Sequence, residues 1–187
     1  MKVELKTPEA IRDQIWRELS RATKDRHHSW RTPVFATTTT DGVVNARTVV
    51  LRAVDRKANQ LQIYTDARSS KAEEITKQKN AIFVFWNKKL NWQLRVRVNV
   101  NLSSNSPEVQ KIWQQVKQTA AASDYMGRSA PGTHISSETQ LEKPNDLQST
   151  HFAVITSDVM EMDWLELASS GHRRAKISLD SWEWLIP

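Results

Sequence analysis

The segment Gln93–Leu102, QLRVRVNVNL, alternates without a break. Leu94, Val96, Val98, Val100 and Leu102 fall on one side, and Gln93, Arg95, Arg97, Asn99 and Asn101 on the other. A period of two marks a β-strand with one dry face and one polar face. Just upstream, AIFVFW (81–86) is apolar at every position and predicts a strand covered on both sides. VFATTTT (34–40) predicts a Thr-rich strand, Asp41-Gly42 a hairpin turn, and NARTVVLRAV (45–54) one continuous returning strand. LQIYTD (61–66) predicts a further strand, and HFAVITSDVMEMDWLEL and RRAKISLDSWEWLIP two or three more.

Helices interrupt this series in few places. Thr7-Pro8-Glu9 supplies a capping hydroxyl, a first-turn proline and an acid facing the helix dipole. Ile11, Ile15 and Leu19 then recur every four residues, so an amphipathic helix is predicted over about 8–22. Ser70-Lys71-Ala72-Glu73 has the form of a capping box, which predicts a helix from Ser70 to about Lys79 with Ser70 as its cap. Ser106-Pro107-Glu108 opens a third helix, with Val109, Ile112, Trp113 and Val116 along one side. From about 120 to 150 the periodicity dissolves, which predicts a long irregular loop. Short strands in series with few helices predict a mainly β, antiparallel architecture, and a small barrel removes its edges. No repeat or composition shift divides the chain, so residues 1–187 are expected to form one domain.

Composition narrows the function classes. Cysteine is absent, which excludes a disulfide framework, thiolate metal ligation and a cysteine nucleophile. No window has the length and apolarity of a membrane span or a signal peptide, so a cytoplasmic protein is expected. The formal net charge of +6 suits a solvated basic surface, an anionic small ligand or a nucleic acid. Eight Trp among 187 residues suit either a core or ring stacking. The basic residues are scattered rather than striped, which makes nucleic acid the weakest of these partners.

The chemistry-bearing residues gather in one place. Strand 61–66 empties into Arg68, Ser69, Ser70 and Lys71 as a helix begins. Unpaired N–H groups and the macrodipole at a helix start, joined by hydroxyls and cations, suit a phosphate. A capping Ser70 with two solvated cations fits the same residues, and the glycines of a Walker loop are missing. Arg47 and Arg52 add two cations, placed by the period of two on opposite faces of their strand. The histidines at 27, 28, 134, 151 and 172 lack metal-ligand or triad spacing, and His27-His28 reads as an exposed pair. No metal site and no catalytic residue follow from these patterns. Redox chemistry would need a cofactor.

The order of these segments resembles the pyridoxamine 5'-phosphate oxidase-like family of FMN-binding split β-barrels. The resemblance runs from VFATTTTDGVVNARTVVLRAVD through LQIYTDARSSKAEEI and AIFVFWNKKLNWQLRVRV to MDWLEL, HRRAKI and WEWLIP. It implies an antiparallel barrel of six or so strands and a homodimer holding FMN at the subunit interface. Arg47, Thr48, Val49, Val50 and Leu51 would line the flavin, with Arg47 on its phosphate and Arg52 turned to the substrate. Tyr64 and Thr65 would stand beside the ribityl chain and phosphate, with Ser69, Ser70 and Lys71 at the phosphate. Arg68 would compensate for Ser70, which stands where the family often has Arg. Gln93 matches the family's cofactor-binding Gln in Arg-Gln-Val, on the polar face of its strand, and Trp164 with Arg173 or Arg174 would come from the opposite subunit. The family's Tyr and Arg for the substrate phosphate fall here on Ile112 and Val116, and its Arg-x-His on Arg173-Arg174-Ala175. Each lost charge-assisted bond is worth roughly 1.5–3 kcal/mol, so a B6 phosphate ester is not the expected substrate. The expectation is an FMN-dependent oxidoreductase; an FMN carrier or sensor without turnover is the alternative, and a basic nucleic-acid-binding barrel the third reading.

Overall fold

The computed structural model describes residues 7–135, 150–178 and 181–187. Helix α1 (Pro8–Lys24) starts where the sequence places it, with the Thr7 hydroxyl accepting from the Ala10 N–H at 3.2 Å. Its inward residues Ile11, Ile15, Leu19 and Ala22 are fully buried. Each large aliphatic side chain so buried contributes about 1.5–3 kcal/mol. A single 3-10 turn over 29–31 follows, with Trp30 in the core. His28, expected to be exposed, is buried instead. Its Nε2 meets a Glu18 carboxylate oxygen at 2.7 Å, and its Nδ1 accepts from the Trp30 N–H at 3.1 Å. Two ring nitrogens with two partners make it a structural histidine.

Nine strands form one antiparallel sheet among the described residues, more than the six or so expected. They are β1 (Val34–Thr38), β2 (Val44–Thr48), β3 (Leu51–Asp55), β4 (Gln60–Asp66), β5 (Asn80–Asn87), β6 (Trp92–Ser103), β7 (Phe152–Glu166), β8 (Arg173–Ser178) and β9 (Trp182–Leu185). The main path runs β2-β1-β5-β6-β7-β4-β3, and β8 and β9 continue from β7. β7 makes this branching possible. Its first half pairs with β4 and its second half with β8, while β6 lies along its other edge. Between them lie α2 (Ser70–Lys77) and α3 (Pro107–Val116).

The segment NARTVVLRAV, expected as one strand, is two. β2 ends one extreme of the path and β3 the other, so the chain crosses from edge to edge through Val49-Val50. The Val49 N–H leaves the ladder and donates to the Pro33 carbonyl at 3.0 Å. No ladder joins β2 to β3 among the described residues, so the barrel is split and the sheet is not closed. Period-two reasoning across residues 47 and 52 fails for this reason. Arg47 and Arg52 belong to different strands, and Arg52 sits at an irregularity in the β3–β4 register, between Leu51 and Ala53.

The inner face carries the core: Phe35, Leu51, Leu61, Ile63, Phe83, Phe85, Leu94, Val96 and Trp164 are all fully buried. A second apolar cluster lies under α3, where Val109, Tyr125, Phe152 and Val154 are joined by the half-buried Tyr64, Ile112, Trp113 and Val116. The predicted irregular stretch begins with a 3-10 helix, Ala120–Tyr125. The rest of that stretch from 136 to 149 lies outside the described residues.

Candidate functional site

The site is built where β4 ends and α2 begins. Asp66, the last residue of β4, turns the chain by accepting from the Arg68 N–H at 2.8 Å. Ser69 is the residue before the helix, but its hydroxyl does not cap it. That hydroxyl lies 3.0 Å from the Thr65 hydroxyl instead, and both residues are buried. Ser70, predicted as the cap, is the first helical residue and is exposed. The first-turn N–H groups of α2 therefore keep no side-chain cap.

Lys71 faces this pair of hydroxyls. Its Nζ donates to Thr65 Oγ1 at 3.1 Å and to Ser69 Oγ at 3.3 Å. Among the described residues no carboxylate comes within ion-pair distance of it, although Asp66 and Glu74 act on it from farther away. Burial lowers its pKa from the ordinary lysine value, and the nearby Arg47 charge lowers it further. A partly desolvated ammonium whose direct partners are neutral hydroxyls is chemically suited to an anion.

Arg47 approaches from β2 and is held by a buried polar cluster. Its Nη2 donates to Glu74 Oε2 at 3.0 Å, and its Nη1 to the Thr37 hydroxyl. The same Glu74 carboxylate accepts from Asn45 Nδ2 at 2.8 Å and from the Thr37 hydroxyl. Burial alone would raise the Glu74 pKa. The bonds from Thr37 and Asn45, with the Arg47 charge, outweigh it and hold the carboxyl below its usual range. Sequence reasoning missed Glu74, Thr37 and Asn45. The available signal was that Glu74 follows Lys71 by one helical turn, on the same side of α2.

Arg68 is committed elsewhere. Its guanidinium pairs with Asp66 at 2.7 Å and donates to the carbonyls of Gly127, Arg128 and Ser129 at 2.8–3.3 Å. These bonds tie the segment after the 3-10 helix to the start of α2.

Residues 13–104 match the family described as pyridoxamine 5'-phosphate oxidase, FMN-binding domain. Over that segment, just under half of the chain, the sequence is similar to the pyridoxamine 5'-phosphate oxidase FMN-binding domain. No curated protein matches the sequence significantly. Among solved structures, the chain is similar to a pyridoxamine 5'-phosphate oxidase-related, FMN-binding protein from Nostoc punctiforme PCC 73102. That match has a TM-score of 0.74 and 23% identity, over 97% of this chain and 99% of the other. PhzG from Burkholderia lata 383, solved in complex with tetrahydrophenazine-1-carboxylic acid, matches with a TM-score of 0.72 and 18% identity over 100% of both chains. A general stress protein 26-related protein from Clostridium acetobutylicum matches with a TM-score of 0.57 and 10% identity, over 90% and 96% of the two chains. These likenesses establish the split-barrel fold of the pyridoxamine 5'-phosphate oxidase-like family.

The remaining family positions spread over the sheet. Thr48 is exposed, Val49 and Val50 are half-buried at the crossover, and the Leu51 side chain is in the core. Gln93 is half-buried on β6, in register with Trp86 of β5 and Leu165 of β7. Trp164, expected to reach a partner's flavin, is fully buried and edge-on to Trp92 at 5.2 Å. Asp163 is turned outward, and alternation puts Trp164 inside. Arg173 lies over the Trp164 ring at 5.4 Å and pairs with Glu166, while Arg174 pairs with Asp163 at 2.9 Å. Among the described residues no helix is long and apolar enough to cross a membrane, and no acid or histidine cluster has the makings of a metal site.

Proposed function

We propose that this chain is an FMN-dependent oxidoreductase of the pyridoxamine 5'-phosphate oxidase-like family. The observation that carries the reading is Lys71, a partly buried cation bonded, among the described residues, to the Thr65 and Ser69 hydroxyls alone at the uncapped start of α2. A phosphate monoester fits this donor set: two hydroxyls, one ammonium, the first-turn N–H groups and Arg47. Arg47 brings its guanidinium already oriented by Glu74, which lowers the ordering cost of binding. Tyr64 and Ser70 flank the clamp, and Gln93 is the hydrogen-bonding side chain offered to the ring. When bound, FMN supplies the hydride acceptor and donor. The chain's own residues hold the phosphate, orient the ring and exclude water.

The functional unit is a homodimer with the flavin at the interface, in a reducing cytoplasm. Support comes from the outward face of β2-β1-β5, where Val34, Val44 and Trp86 are exposed and lie in register with neighbouring strands up to Gln93. An apolar face that leads to the ring-binding side chain is suited to a second copy of the chain. Arg174 and Gln93 both stand in register with Leu165, so they share that outward surface.

The test is the visible spectrum of protein reconstituted with FMN and freed of excess flavin, followed by anaerobic addition of NADPH. Retained flavin that bleaches on addition is the expected result. No retained flavin would remove the proposal.

A further inference from the structure

Helix α1 turns a row of exposed cations outward, away from the strands. Arg17, Arg21 and Lys24 lie on one face at spacings of four and three residues, so they follow one another along about 10 Å of helix. Across from them stands Arg56, in the turn that follows β3. With Trp16 and Ser20 these residues line an open cleft of about 370 Å³. Trp16 and the methylene stems of the cations give it an apolar floor, and the charges form its rim.

The partners of these cations do not cancel their charge. Arg17 Nε and Nη2 both donate to Gln14 Oε1, at 3.0 and 2.7 Å, so a neutral amide holds its guanidinium in place. Arg21 reaches Glu18 at 3.0 Å, but that buried carboxylate also accepts from Gln14 and meets His28. Arg56 pairs with Asp13. The Lys24 side chain has no hydrogen bond or ion pair among the described residues. Cations in the last turn of a helix ordinarily serve its own carbonyls. Here Arg31 fills that role from outside α1, donating to the Ala22 and Thr23 carbonyls at 3.3 and 3.0 Å, and Lys24 is left to the cleft.

We propose that this cleft binds a nucleoside di- or triphosphate, with the phosphate chain along Arg17, Arg21 and Lys24 and the nucleoside on the apolar floor. The volume falls among those of small-ligand sites. Guanidinium forks pair phosphate oxygens through two parallel bonds, and three cations in a row suit a chain of charges better than one isolated anion. The apolar floor adds affinity for an organic body that an inorganic polyanion lacks. The proposal does not rest on the flavin reading, and the cleft shares no residue with the start of α2.

The experiment is calorimetric titration of the FMN-reconstituted protein with ATP, AMP and tripolyphosphate at one fixed ionic strength. ATP is expected to bind at least tenfold tighter than AMP and at least threefold tighter than tripolyphosphate. Arg17→Gln combined with Lys24→Gln is expected to weaken ATP binding at least tenfold, with flavin content unchanged. Excess FMN is expected not to displace ATP. Binding of ATP no tighter than of AMP or tripolyphosphate, ATP affinity surviving in the double variant, or displacement by FMN would overturn the proposal. If the protein keeps no flavin, the flavin reading fails by itself. The same titration on the flavin-free chain then decides the cleft by its dependence on Arg17 and Lys24.

Discussion

Two regions of this molecule handle arginines and carboxylates in opposite ways. On the outer face of β6, β7 and β8, charges form a closed ladder. Asp163 takes both Arg95 and Arg174, and Glu161 takes Lys176 at 2.9 Å and Arg97 at 3.7 Å. At the start of α2 the charges do not close. Glu74 satisfies Arg47, but Lys71 is left with hydroxyls, and burial pushes its pKa down. The ladder is what a sheet does to pair its own surface. The start of α2 is where the proposed flavin phosphate would complete the pairing, and that contrast is what the proposal rests on.

Breaking the clamp and breaking the ladder should therefore have different consequences. The largest effect is expected for Arg47→Ala combined with Lys71→Ala. Loss of two charge-assisted contacts of roughly 1.5–3 kcal/mol each would weaken FMN binding by about 10²–10⁴-fold, read by quenching of flavin fluorescence. Next comes Glu74→Ala, which leaves Arg47, Thr37 and Asn45 without their shared acceptor. A loss of about 3 kcal/mol is expected, seen as a lower urea midpoint, because the variant strands a partly buried charge. Glu74 also gives the comparison a pH arm. Its folded-state pKa is lowered, so its contribution is complete above the usual carboxylate range and lost as pH falls through the lowered value. Glu74→Gln should flatten that acid limb of the urea midpoint.

Lys71 should show the opposite limb in binding. Its pKa is lowered in the folded chain, and phosphate favours its charged form, so FMN affinity is expected to fall as pH rises through that lowered value. A dissociation constant flat from neutral pH to pH 10 would mean that Lys71 is not in the clamp. The smallest effect belongs to the ladder. Arg97→Ala removes a largely exposed partner of Glu161 and should shift stability by about 0.5 kcal/mol or less, with FMN affinity unchanged.

The sequence made some of this legible and concealed the rest, for physical reasons. The alternation in β6 and the capped start of α1 depend on local pattern alone, and both appear as predicted. The crossover at Val49-Val50 was hidden because an apolar pair suits a strand interior and a half-buried corner equally. Without a glycine or proline to mark the break, NARTVVLRAV looked continuous. The polar cluster around Glu74 was hidden for another reason. Thr37 and Asn45 come from a hairpin whose register against α2 only the tertiary fold decides. The bonds that hold Arg68 were hidden because its partners, the carbonyls at 127–129, are some sixty residues away and carry no sequence signal. Lys71, Thr65 and Ser69 were legible because a strand end and a helix start lie within seven residues of one another.

The central claim is that the start of α2 binds the flavin through its phosphate. The measurement that tests it most directly is a paired fluorescence titration of the apo-protein with FMN and with riboflavin, which lacks only that phosphate. Binding of FMN at least 10²-fold tighter than riboflavin is predicted, from the two cations and two hydroxyls assembled there. Equal affinity for the two flavins would contradict the account, and would leave Lys71 a structural partner of the Thr65 and Ser69 hydroxyls.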